Sequence, residues 1–122
     1  MTTLSAPSRN AVDHILEKAP DFTRFRTLSA DKRQQLLSDF IAVIYATDFV
    51  ASFDWMTEFP TDDPRWDDIN LLKKADAAQV RELLIAHLRL DRFSHGHLER
   101  VMTSGFLGAA LSRLRALFAA TP

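Results

Sequence analysis

Apolar residues in the second half of the chain recur at helical spacing. Val80, Leu83, Leu84, His87, Leu88 and Asp91 fall on one face, which predicts a helix that buries the side carrying His87. Just before them, Asp76-Ala-Ala-Gln79 has the form of a capping box, so the helix is expected to start there. Ile85 lies off this face. It shares a basic stripe with Arg81, Arg89 and Arg92, where exposure is expected. Ser94 is expected to cap a second helix with Leu98, Val101 and Met102 inside, and Gly105 to stop it in a left-handed conformation. Leu107, Ala110, Leu111, Leu114 and Phe118 define a last helix, with Arg113 and Arg115 off its buried face.

The first half follows the same rules. Met1 to Pro7 reads as a flexible tail before a single helical domain over residues 8–122. Ser8 caps a helix with Ala11, Val12, Ile15, Leu16 and Ala19 inside, and Pro20 ends it. Phe22 and Phe25 are expected to plug the core. Ser29 caps a long helix through Leu36, Leu37, Phe40, Ile41 and Ile44. Its FIAVIY run contains β-formers, but the helical face continues through it. Thr47 to Asp68 mixes five aromatic residues with acids, and is expected to form two short helices capped by Asp54 and by Asp63 ahead of Pro64. The expected architecture is all-α, a compact orthogonal bundle of about five or six helices.

Charge adds an asymmetry that the net value of -1 conceals. Residues 1–72 carry seven Lys/Arg against twelve Asp/Glu, and residues 73–122 carry eight against four. Such poles can attract each other within the fold, attract another copy, or present an anion-binding face. The chain has no cysteine, which removes disulfides and thiolate metal sites. No signal-like leader or spanning apolar run occurs in it, so a cytoplasmic location is expected.

The densest chemistry is His87, Asp91, His95 and His97. A His and Asp four apart on a helix can pair as ligands to a divalent ion, and the short turn can bring His95 or His97 toward them. A histidine on an apolar face is more commonly a core residue satisfied by one partner. The acidic set Asp54, Glu58, Asp62, Asp63, Asp67 and Asp68 lacks the glycine and alternation of a calcium loop. No phosphate loop, Rossmann fingerprint, HExxH or nucleophile elbow occurs. Neither a catalytic residue nor a cofactor or bound metal is expected.

FDWMTEF at Phe53 to Phe59, LLIAHLRLDRFSHGHL at Leu83 to Leu98 and SGFLGAALSRLRAL at Ser104 to Leu117 together resemble a family of short helical bacterial and phage-encoded proteins of unknown function. The most specific piece is RLDRFSHGHL. The resemblance implies a helical domain around that run and carries over no catalytic residue. Read physically, Phe93, Ser94, Gly96 and Trp55 form a structural junction. In it Phe93 is buried at the turn, Ser94 caps, Gly96 allows close approach, and Asp91 pairs with Arg89, Arg92 or His87.

The leading expectation is a non-enzymatic protein-interaction module, a homo-oligomer or a small accessory or inhibitor protein. The phage-encoded look-alikes imply a setting in host defence or counter-defence. Binding residues would come from Arg81, Arg89, Asp91, Arg92, His87, His95 and His97. One alternative is nucleic-acid binding through Arg81, Arg89, Arg92 and Arg100 on a helix-turn-helix-like pair. Another is a metal-dependent enzyme at His87, Asp91 and His97. No membrane partner is expected.

Overall fold

Most of the helices begin where a short polar side chain takes up backbone N–H groups that a first turn leaves without partners. Ser8 accepts from Ala11 and opens α1 (Arg9–Lys18), and Ser29 accepts from Lys32 and opens α2 (Ala30–Tyr45). Asp54 accepts from Thr57 at α3 (Trp55–Glu58), and Asp68 from Leu71 at α4 (Ile69–Leu72). Asp76 and Gln79 exchange both bonds of the capping box at α5 (Ala77–Asp91). The chain closes with α6 (His97–Thr103) and α7 (Phe106–Ala119), and 3-10 turns occupy Phe25–Thr27 and Pro64–Asp67. The computed structural model describes residues 4–19, 24–60, 63–94 and 96–119, with Pro64 and Asp67 described by backbone alone. The expectations on Pro20, Phe22, Asp62 and His95 lie outside the described residues.

Among the described residues the fold is all-α, with seven helices, five of them at least seven residues long. The acidic segment supplies one element more than expected. Asp63 caps a 3-10 turn rather than an α-helix, and Asp68 then caps α4 directly behind it. The FIAVIY run is helical, because Leu37, Phe40 and Ile44 continue one buried face of α2 to its end.

α5 is the central element, packed by α3, α6 and α7, while α7 also meets α1 and α4 and α2 meets α1 and α6. Every residue from Val80 to Leu88 is therefore buried. This corrects the expected exposure of Ile85, which has no accessible surface. A helix covered on several sides has no solvent face for periodicity to mark. Phe25, Phe40, Phe49 and Phe106 fill the core around it.

Burial of α5 also takes Arg81 and Glu82 out of water. Arg81 donates through Nε to the Phe49 carbonyl at 2.7 Å, and through Nη2 to that of Asp48 at 2.8 Å. Nη1 donates to the Ser5 carbonyl at 3.2 Å. Glu82 Oε2 accepts the Leu4 N–H at 2.9 Å. Two adjacent side chains of α5 thus hold both the segment before α1 and the loop after α2. The described part of the expected tail, Leu4 to Pro7, carries these two bonds and includes a buried Pro7. Arg81 is accordingly no member of an exposed stripe.

The turn from α5 to α6 departs most from expectation. Phe93 is 72% exposed, so it does not anchor the core. Ser94 does not cap α6 either, since the cap position belongs to Gly96 at φ 80°. A Cβ at Gly96 would meet Arg100 Nη1 at an ordinary 3.6 Å, so glycine answers the positive φ rather than a close approach. Gly105 stands at φ 89° between α6 and α7, the left-handed stop that its position predicts. Among the described residues Asp91 forms an ion pair with neither arginine nor imidazole. Its Oδ1 accepts the Leu98 N–H at 2.9 Å and so caps α6 from the preceding helix. Asp91→Ala is expected to lower stability by about 1 kcal/mol, the usual cost of a lost helix cap, as measured by urea unfolding. A variant as stable as the native chain would mean that water caps α6 equally well.

Candidate functional site

α3, the Pro64–Asp67 turn and the end of α5 meet at one place on the surface. Asp54 fixes the start of α3 and sets Trp55 and Met56 beside the end of α5. Arg65 then ties the 3-10 turn to α3. Its guanidinium forks onto Asp63, reaches the Glu58 carbonyl at 2.6 Å and the Glu58 carboxylate at 3.4 Å, and lies 4.4 Å over the Phe59 ring. The same contact holds the Asp63 carboxyl below the usual carboxylate range. Trp66, its Nε1 donating to the Pro60 carbonyl at 2.7 Å, is fixed by this knot.

The result is a continuous file of rings from surface to core. Phe93 stacks on Trp55 at 6.3 Å, Trp55 meets Trp66 edge-on at 6.5 Å, and Trp66 meets the edges of His87 at 5.1 Å and His97 at 6.1 Å. His87 in turn contacts Phe106 at 5.0 Å. Offset and edge-to-face pairs of this kind add about 0.5–1.5 kcal/mol each beyond the area they bury. At its outer end Trp55, Met56, Phe59, Trp66, Leu90 and Phe93 line a groove of about 220 Å³. Met56 is 58% exposed and Phe93 72%. These are apolar side chains left in water on a braced frame.

At the inner end the two imidazoles stack, and His87 Nδ1 lies 2.9 Å from His97 Nε2. One proton fits between those nitrogens. His87 Nε2 is buried and makes no hydrogen bond among the described residues. Burial pushes the His87 pKa down to about 3; His97 lowers it further and the Trp66 backbone opposes. His97 is half-buried and also lowered, by burial and by Arg100, against the pull of Asp91. Both rings are therefore neutral at pH 7, packed as aromatic bodies with one polar contact.

The structure thus brings His87 and His97 together and leaves Asp91 committed to α6. Among the described residues no three His, Asp or Glu side chains converge as ligands for a metal ion. The arginines separate by environment. Arg81 is buried, Arg89 is half-buried, Arg92 is exposed with Nη2 3.5 Å from the Tyr45 hydroxyl, and Arg100 is exposed with Nη2 3.3 Å from Ser94 Oγ. Trp55 is half-buried, with the exposed Phe93 stacked over it. Met56 and Trp66 were not singled out by sequence reasoning. The signal for them was present in the density of aromatic residues between Phe49 and Trp66.

A second concavity of about 260 Å³ lies between α3 and the start of α5, with Glu58, Asp76 and Glu82 on its walls together with Arg65. Among the described residues no helix is long and apolar enough to cross a membrane. Fold and site define a small all-helical domain with an aromatic surface frame. The chain belongs to DUF6508, a family of unknown function, whose family model matches residues 10–120. No curated protein and no solved structure matches it.

Proposed function

We propose that this chain is a non-enzymatic protein-interaction module whose docking face is the groove between α3 and the end of α5. The observation that supports this reading most is the exposure of Met56 and Phe93 on a frame that Arg65 and Trp66 hold rigid. Contiguous apolar side chains in water are costly unless a partner covers them, and aromatic residues, Met and Arg are the residue types enriched in protein interfaces. Arg89 and Arg92 flank Leu90 and Phe93 in the chain and supply the polar margin. A rigid frame also lowers the ordering cost of binding.

Peptides selected from a random library against the immobilised chain test this reading. The selected sequences should be rich in aromatic residues and compete for one site. Their binding should be lost in Phe93→Ser and weakened in Met56→Ser. Phe93→Ser should cost no more than about 0.5–1.5 kcal/mol, the worth of its stack on Trp55, because most of its surface is already in water. Peptides that bind both variants as well as the native chain would sink the proposal.

A further inference from the structure

We infer that a separate groove, between α4 and α7, binds a small amphipathic carboxylate, an aliphatic chain with one carboxylate head; the inference is independent of the docking face above. The groove holds about 370 Å³, within the range of small-molecule sites, about 300–1,000 Å³. Ile69 and Leu72 of α4 and Ala109 of α7 give it an aliphatic floor. Leu72 is buried and Ile69 partly exposed, so the apolar surface runs from the core out to water. Both charged residues on its walls are cations, Lys73 just after α4 and Arg113 on α7. Among the described residues neither forms an ion pair. Arg113 is half-buried, and its Nε donates to the Ala75 carbonyl at 2.9 Å. That bond orients the guanidinium, while its terminal nitrogens make no hydrogen bond among the described residues. A planar donor held in this way is a ready fork for the two oxygens of a carboxylate, and Lys73 adds a second positive charge on the same groove. A cationic occupant would meet like charge. An uncharged one would cover two cations and supply no counter-charge. A phosphate head, with more oxygens to satisfy, draws on free backbone N–H groups. Those bordering the groove are spent, because Lys73, Lys74, Ala75 and Ala109 donate to the carbonyls of Asn70, Leu71, Leu72 and Gly105. A two-oxygen head on an aliphatic tail is what this floor and these two cations match.

Titration of the isotope-labelled full chain with decanoate, kept below its micellar concentration, tests this by NMR. Amide shifts should saturate at a single site, confined to residues of α4 and α7. Lys73→Glu, at an exposed position, should keep the native circular dichroism and weaken binding by about tenfold or more, because an attractive charge becomes a repulsive one. Arg113→Lys should also weaken it, since the charge remains and the fork is lost. Phe93→Ser should bind decanoate as the native chain does, which separates this site from the docking face. Decylamine, with the same tail and the opposite charge, should leave the α4 and α7 shifts unmoved. A native chain with no saturable shift overturns the inference, as does binding that Lys73→Glu leaves undiminished or that decylamine reproduces. Decyl phosphate bound more tightly than decanoate overturns the carboxylate head. A response to a glutamate-rich peptide without one to decanoate overturns the small-molecule occupant and gives the groove to an acidic protein segment.

Discussion

Replacing Arg81 with methionine is expected to lower the free energy of unfolding by about 1 to 3 kcal/mol, the cost of leaving a buried acceptor without its donor. The methionine stem fills much of the same apolar path, so the loss is chiefly polar. Three carbonyls, of Ser5, Asp48 and Phe49, give up a charged donor at once. The Phe49 carbonyl is the one left buried without its donor, at about 1–3 kcal/mol, whereas Ser5 and Asp48 are exposed and water can reach their carbonyls. Arg81→Lys should recover only part of this, because an ammonium on a flexible stem cannot reproduce a planar fork spread across three acceptors. Urea midpoints at constant slope measure both effects. An Arg81→Met protein within about 1 kcal/mol of the native chain would mean that water enters and satisfies those carbonyls.

Acid should act through the imidazole pair well before it reaches the carboxylates. The His87 pKa is about 3 in the folded chain against an ordinary 6.5, so the unfolded chain binds more protons between those values. Stability from this group is then fully present above pH 6.5 and drains away as pH falls toward 3. The slope is about 1.4 kcal/mol per pH unit for one fully responding group, and His97, lowered in the same direction, steepens it. Asp63 behaves separately, because its contribution is lost only below its ordinary 3.8. Unfolding curves for the native chain and His87→Leu between pH 7 and pH 4.5 isolate the histidines. The native slope should be positive below pH 6.5 within that interval, and the variant should lose most of it. Parallel slopes for the two proteins would show that the proton enters elsewhere.

Local signals were legible in the sequence and spatial ones were not. Ser8, Ser29, Asp54 and Asp76 each cap a helix a few residues away, so their roles depend only on neighbours in the chain. Ile85 and Arg81 depend on how many elements surround α5. The stretch LLIAHL from Leu83 to Leu88 holds no charged residue, and that uninterrupted run was the available sign of a helix buried on all sides. Phe93 departs from the expected burial for the reverse reason. An aromatic residue at a tight turn is assigned inward on hydrophobicity alone, and nothing local reveals that Trp55, far away in sequence, stands beneath it. His87 was placed correctly on the buried face, whereas its partner proved to be His97 rather than Asp91. That exchange follows from Asp91 capping α6, which only the path of the turn decides.

The clamp on the segment before α1 also sets an order of events in folding. Leu4 and Glu82 are 78 residues apart and Ser5 and Arg81 are 76 apart, so these bonds close some of the longest loops in the molecule. Loop closure of that length brings no reward until most of the intervening chain is organised. α5 must already be seated against α6 and α7 before its Arg81 and Glu82 are in position to receive the earlier strand of chain. The segment before α1 is consequently among the last to be fixed, and during synthesis Leu4 to Pro7 waits for a helix that has not yet been made.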